Sequence, residues 1–311
     1  TLHLQINKNE QAKNYLELSL DIDKNNIIAT NNLALVYEKL EKKDKAINLF
    51  KRSIEISPNN PETFFRIANL YSSEKKYELA IKNYQKAIEL KPNFMFAYLN
   101  LGNAQFESEF YEESIVSFEK SISFNRNFIP SYLNICRALL KLEKYDQALK
   151  YSDEVIKLDK MNIQANLIQG DINLFLKNFS NALKNYERII KIEPTHSLVL
   201  GKLLHAKMFL HDWKNYKKLL GDIIKYVDKN IMVIHPSILL PLTDQPDLHL
   251  KASKIYINQY YKKDIINQNI GFKKKTKINI GYFSSDFYDH ATLRLMMDVF
   301  QHHDRSKFNI F

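Results

Sequence analysis

Glycine and proline are scarce, with 6 and 8 in 311 residues, which argues against a turn-rich β architecture and for long helices. The single cysteine, Cys136, excludes an intrachain disulfide framework and suits a reducing compartment, so the cytoplasm is the expected location. No apolar run approaches the roughly 18 to 20 residues that cross a bilayer, and the first residues show no charged-then-apolar leader pattern. No glycine-rich loop is available to cradle a pyrophosphate; Gly281 is isolated in a β-rich run. What is present is 45% hydrophobic residues, enough to bury a core, and a length compatible with two folded units. The formal charge of +10 comes from lysines scattered along helical faces, and the one dense run, Lys273, Lys274, Lys275 and Lys277, falls where a linker is expected. That distribution describes a solvated surface, with neither nucleic acid nor membrane as partner.

Pro58 and Pro92 stand 34 residues apart, and that period brings a set of residue types into register. Residues 27–60 carry Leu33, Ala34, Tyr37, Ala46, Phe50, Ser53 and Pro58 at positions 7, 8, 11, 20, 24, 27 and 32 of the frame. Residues 61–94 repeat it with Ile67, Ala68, Tyr71, Ala80, Tyr84, Ala87 and Pro92. Residues 95–128 keep Leu101, Gly102, Ser114, Phe118 and Ser121. Residues 129–162 keep Ile135, Cys136 and Ala148, with Ser152 in an aromatic's place. Residues 163–196 recover the pattern through Gly170, Ala182, Tyr186 and Pro194, and Ala12 and Ser19 mark a partial repeat in 1–26. Small residues at positions 8, 20 and 27 let antiparallel helices approach closely, while the aromatics fill the space beside them and proline ends the second helix. A hairpin of this kind cannot bury its own apolar face, so neighbours stack. The signature is that of the tetratricopeptide repeat. The predicted fold is therefore mainly α, a right-handed solenoid of five repeats over 27–196 with a concave groove lined by first helices.

The frame fails over 197–230, where Leu204, Tyr216 and Leu220 occupy positions that call for alanine, alanine and an aromatic. Capping or adaptor helices are predicted over 197–261, including HDWKNYKKLLGDIIKYV with the only tryptophan, Trp213, and a helix from about Asp247 to Tyr261. Residues 262–276 read as a linker. From 277 the periodicity changes: KINIGYF alternates as a strand, SSDFYDH is a polar loop, Ala291–Gln301 an amphipathic helix, and a second strand starts at Phe308. Strand, loop, helix, strand opens a parallel α/β sheet, in which active groups gather in loops after the strands' C-terminal ends. That puts Ser284, Ser285, Asp286 and His290 at a candidate site. The alternative is that Asp286 or a serine caps the next helix and His290 is a surface residue.

IGYFSSDFYDH, continued by LMMDVFQHHDRSKFNIF, resembles the first segment of the catalytic region of the O-GlcNAc transferase family, and HDWKNY resembles its bacterial members. The resemblance spans essentially the whole chain, since that family places tetratricopeptide repeats before a two-lobed GT-B, Rossmann-like glycosyltransferase. It implies transfer of N-acetylglucosamine from UDP-GlcNAc to serine or threonine hydroxyls of proteins, with no metal and no other cofactor. His290 matches the histidine of the family's SSDF-x-x-H motif and would serve acceptor deprotonation or donor organisation; Ala291 departs from the proline frequent in the animal enzymes. On this resemblance residues 277–311 are the truncated start of the N-terminal lobe, and the chain alone is expected to be inactive. The family also carries an asparagine ladder at position 6 that holds an extended acceptor. Here position 6 is Asn32, Asn100 and Asn134, interrupted by Arg66 and Ile168. Arg66 would add a preference for acidic acceptors, while the abundance of asparagine throughout the chain leaves a compositional origin open. The expected partners are acceptor proteins or peptides, with a homodimer also left open. The rival is a non-catalytic repeat scaffold, which has no need of SSDFYDH. Cys136, at position 8, reads as a buried thiol. The adjacent His302 and His303, and the pair His205 and His211, lack the spacing of helical metal ligands.

Overall fold

The computed structural model describes residues 2–260, 278–280, 304, 306 and 308–310, and for 2–7 and the two short strand segments the backbone only. It separates into two compact units, Thr1–Ile257 and Asn258–Phe311.

The first unit is built from α1 (Leu2–Ile22) and five helical hairpins: α2 (Ile27–Lys39) with α3 (Lys43–Ile56), α4 (Pro61–Ser73) with α5 (Tyr77–Leu90), α6 (Met95–Glu107) with α7 (Tyr111–Phe124), α8 (Ile129–Lys141) with α9 (Tyr145–Leu158), and α10 (Ile163–Phe175) with α11 (Phe179–Ile192). The small residues at the crossing positions are sealed off from solvent. Ala34, Ala68 and Cys136 at position 8, Ala46, Ala80, Ser114, Ala148 and Ala182 at position 20, and Ala87 and Ser121 at position 27 are all 0% exposed. The approach is tightest where position 8 is glycine: a Cβ on Gly102 would stand 2.6 Å from the Phe118 ring, and one on Gly170 2.6 Å from the Tyr186 ring. Each second helix ends in an extended residue ahead of the next turn, Ser57, Lys91, Asn125, Asp159 and Glu193, with φ between −146° and −135°. Three of these precede a proline, whose ring disfavours helical backbone in the residue before it. Asn26, Asn60 and Asn162 cap the following first helices, accepting from Ala29, Glu62 and Ala165 backbone N–H groups at 3.0, 3.1 and 3.1 Å.

The turn inside each hairpin obeys a rule the residue types do not advertise. Glu41, Lys75, Glu109, Glu143, Lys177 and His211, spaced by the repeat, all adopt left-handed backbone with φ of 52–65°. The next residue's N–H reaches back to the position-11 carbonyl, as in Lys42 to Tyr37, Lys144 to Leu139 and Asp212 to Lys207, each at 2.9 Å. This is the glycine-type helix stop executed without glycine.

Beyond the repeats, α12 (Val199–Phe209) keeps that turn at His211, but its next neighbour is not a second helix in the usual place. The irregular residues 232–234 lie against it, with Leu198 N–H bonded to Met232 O at 3.1 Å and Gly201 N–H to Val233 O at 2.9 Å. Leu204 fits where alanine would be expected because it packs into a separate core with Ile223, Val227, Val233 and Ile234. That core is completed by α13 (Tyr216–Asp228), the four-residue α14 (Pro236–Leu239) with its 3-10 continuation Leu240–Leu242, and α15 (Pro246–Tyr260). No described helix is long and apolar enough to cross a membrane.

In the second unit, β1 (Ile278–Ile280) and β2 (Phe308–Ile310) pair in parallel, Ile278 opposite Phe308 and Ile280 opposite Ile310. A parallel pair requires a crossover connection, the hallmark of an α/β sheet, in keeping with the strand, loop, helix, strand order read from the sequence.

A left-handed L-residue costs about 1–2 kcal/mol, and Lys177 is exposed, so its side chain contributes little to packing. Lys177→Gly should stabilise the array by about 0.5–1 kcal/mol after the larger unfolded-state entropy of glycine is subtracted, read as a higher denaturation midpoint at unchanged slope.

Candidate functional site

First helices of successive repeats touch one another, α4 with α6, α6 with α8 and α8 with α10, which puts them on the inner side of the array. Along that face a hydrogen-bond relay joins position 6 of one repeat to position 9 of the repeat before. Asn100 Nδ2 donates to Asn69 Oδ1 at 2.9 Å and Asn134 Nδ2 to Asn103 Oδ1 at 2.9 Å. Lys202 Nζ donates to both carboxylate oxygens of Asp171 at 2.6 and 2.7 Å, extending the relay onto α12. Where position 24 is tyrosine, its hydroxyl converges on the same acceptor: Tyr84 on Asn69 and Tyr186 on Asp171, each at 2.7 Å. Burial pushes both phenols well up, so they remain donors. Asn69 and Asp171 are thereby held both by their own repeat and by the next.

The two sequence-predicted asparagines on described bonds, Asn100 and Asn134, are both relay donors. Each has one amide N–H engaged, leaving a second N–H and carbonyl capacity on the groove face. Asn32 is exposed on α2. Arg66 is engaged elsewhere: its guanidinium lies 3.3 Å from Glu62 and at the looser ion-pair distance of 3.9 Å from Glu38. Ser284, Ser285, Asp286 and His290 lie outside the described residues.

Position 9 was overlooked in the sequence, although Asn69, Asn103 and Asp171 could be found by asking which polar residue lies 31 before each position-6 donor. Arg137 was overlooked too. It stands at position 9 where the following position 6 is Ile168, so it has no relay partner; its guanidinium lies 4.7 Å over the Phe106 ring and reaches Asn134 Oδ1 at 3.4 Å. No carboxylate comes within ion-pair distance of it among the described residues. Phe118 replaces the tyrosine here, and a cleft of about 300 Å³ opens between Asn103, Phe106, Glu107, Asn134 and Arg137. Arg137 is thus better placed than the neutralised Arg66 to meet an acidic side chain in the groove.

Two further residues are chemically quiet. Cys136 is fully buried, its Sγ 3.4 Å from the Ala148 carbonyl, and burial raises its thiol to about 12. His205 on α12 is pulled below its ordinary 6.5 by burial.

Comparison with known proteins accords with this geometry. Residues 27–60, 49–82, 97–128 and 133–197, with 1–26, match tetratricopeptide repeat families, and 68–109 match a TPR repeat family. Residues 210–311 match Glycosyl transferase family 41, a match that opens at the HDWKNY segment. A UDP-N-acetylglucosamine–peptide N-acetylglucosaminyltransferase of Caenorhabditis elegans is 28% identical over 115 residues, covering 32% of this chain. The chain spans only 10% of that relative's length. Among solved structures, YrrB, a TPR protein with an unusual peptide-binding site, superposes with a TM-score of 0.53 at 19% identity, covering 62% of this chain and 97% of its own. Pseudomonas aeruginosa pilF gives 0.51 at 23% identity, covering 63% and 89%. At these identities the structural likeness is one of fold.

Because the folded state binds a proton at His205 less readily than the unfolded chain, its contribution to stability is present above pH 6.5 and is lost as the pH falls through 6.5 towards the depressed folded value. Stability measured by denaturant across that window should fall with acid, and His205→Phe should flatten the slope.

Proposed function

We propose that this chain, which joins a tetratricopeptide array to a segment of glycosyl transferase family 41, holds an extended acceptor polypeptide in its groove for O-linked transfer of N-acetylglucosamine from UDP-GlcNAc to serine or threonine. The observation that carries the reading is the relay on the inner face. It fixes the amides of Asn100 and Asn134 before any ligand arrives, with hydrogen-bonding capacity still to offer to a peptide main chain. An amide presents both donor and acceptor, so a row of them grips a backbone with little regard to side chains, which suits an enzyme acting on many acceptors. Asn32 continues the row towards the N-terminal repeats. Preorientation matters because a side chain already ordered pays less entropy on binding.

In the reaction, His290 is the proposed general base. Its neutral imidazole takes the proton of the acceptor hydroxyl as that oxygen attacks the anomeric carbon of the sugar, and UDP departs with the electrons of the breaking bond. Ser284, Ser285 and Asp286 belong to the same loop and would shape it. No metal or organic cofactor is required by this scheme. Arg66, and more directly Arg137, bias the groove towards acidic acceptors. The expected setting is the cytoplasm, where UDP-GlcNAc would meet unfolded segments of other proteins.

Two measurements test the reading. Asn100→Ala with Asn134→Ala should weaken binding of an unstructured serine- and threonine-rich polypeptide about tenfold, two hydrogen bonds at about 0.5–1.5 kcal/mol each, as read by fluorescence anisotropy; unchanged affinity would remove the ladder. In the protein carrying its full family 41 region, His290→Ala should lower kcat by about 10²–10⁴-fold with polypeptide affinity intact, and normal turnover would end the assignment of His290.

A further inference from the structure

The central cleft of the inner face carries two opposite charges that do not neutralise each other. Arg137 lines it from α8 and Glu107 from α6, both exposed. No ion pair joins them, and among the described residues neither has any other opposite charge within ion-pair distance. Arg137 is held back by the Phe106 ring beneath it, 4.7 Å away, and by Asn134 Oδ1 at 3.4 Å. That hold sets the polarity of the amides beside it. A guanidinium only donates, so Asn134 turns its oxygen to Arg137 and its Nδ2 to Asn103 Oδ1. Asn103 is turned in consequence, with its oxygen taken and its Nδ2 left without a protein partner. Phe118, which has no hydroxyl, forms the floor.

The two walls therefore ask for different things. Around Arg137 the groups still on offer are donors alone: guanidinium N–H groups, the Asn103 Nδ2 and the second N–H of Asn134. The side-chain group that accepts from several donors and also balances the charge is a carboxylate. Glu107 stands four residues beyond Asn103, on the same face of α6, and offers acceptors only. It calls for a cation. We infer that this cleft reads a pair of opposite charges in the bound polypeptide, an acidic side chain on Arg137 and a lysine or arginine on Glu107. In an extended chain residues i and i+2 project to the same side about 7 Å apart, so an acid and a base with one residue between them reach both walls together. A lone acid leaves Glu107 unanswered, and a run of acids sets a like charge against it. The inference rests on the reading that the groove holds a polypeptide, and it narrows a preference for acidic acceptors to one for mixed-charge segments. Both pairs stay open to solvent and are individually weak, which grades affinity among many acceptors without demanding one sequence.

Four end-blocked, fluorescein-labelled, serine-containing peptides, identical but for Glu-x-Lys, Glu-x-Gln, Gln-x-Lys or Glu-x-Glu, test this by anisotropy on the full 311-residue chain. Glu-x-Lys should bind about threefold more tightly than either singly charged peptide, and Glu-x-Glu should bind more weakly than Glu-x-Lys by at least about as much. The net charge of +10 by itself would rank Glu-x-Glu first, so the expected order cannot come from long-range attraction. Arg137→Gln should erase the advantage of Glu-x-Lys over Gln-x-Lys and keep that over Glu-x-Gln; Glu107→Gln should do the reverse. Both side chains are exposed, so neither change should disturb the fold. Glu-x-Glu binding as tightly as Glu-x-Lys, or a lysine advantage that survives Glu107→Gln, overturns the proposal. Equal binding of all four peptides means the charge pair is wrong while the groove reading stands. Binding of none removes the groove reading and the charge pair with it.

Discussion

Almost everything in the array depends on keeping side-chain volume out of two helix-crossing positions, 8 and 20 of the frame, whereas position 27 also admits the buried Val155 and Ile189. Ala34 with Ala46, Ala68 with Ala80, and Cys136 with Ala148 are fully buried where two helices of a hairpin meet. Gly102 and Gly170 leave no space for even a methyl group beside Phe118 and Tyr186. Enlarging such a site forces the helices apart, and overpacking of this kind costs about 1–3 kcal/mol. Because each hairpin also supplies the surface on which its neighbour stacks, a displacement at one crossing is passed to the next. The spacing of first helices follows from these contacts, and that spacing brings position 6 within hydrogen-bond reach of position 9 one repeat earlier. The relay on the inner face is thus a consequence of the packing.

The relay in turn makes its own interruptions informative. Arg66 faces Leu35 at position 9 and turns to Glu62 and Glu38. Arg137 faces Ile168 and turns to the Phe106 ring and Asn134, so the array keeps one cation neutralised and another open. Lys202 with Asp171 carries the same contact across the boundary from regular repeat to cap, joined by Tyr186. The cap is therefore in register with the repeats on the inner face, even though its core is assembled differently, with irregular chain at 232–234 and a proline-broken segment doing what a second helix does elsewhere.

Much of this was legible beforehand, and the rest was hidden for physical reasons. The small positions 8 and 20 could be read because burial restricts residue type and the period displayed them five times over, and the aromatic at position 24 recurred in four of the five repeats. The left-handed turns could not be read, since Glu41, Lys75, Glu109, Glu143, Lys177 and His211 are not turn-formers, and the conformation is enforced by the helices on either side. Lys202 was passed over because Leu204 and Tyr216 break the signature around it, although the groove-facing and core-facing residues of one helix are separate sets. The asparagine row was visible at position 6, yet its partners at position 9 were not sought, because hydrogen bonds between repeats span residues far apart in sequence. The parallel pairing of Ile278–Ile280 with Phe308–Ile310 accords with the alternation and spacing of those segments, while the loop bearing Ser284, Ser285, Asp286 and His290 lies outside the described residues.

The central claim is that polypeptide lies on the inner face, and it is tested most directly by where a bound chain can be caught. A photo-crosslinking residue placed at Asn103, in the groove cleft, should capture an unstructured acceptor polypeptide, whereas the same residue at Lys120, exposed on the second helix α7, should not. Capture at both positions with equal yield, or at Lys120 alone, would contradict the account.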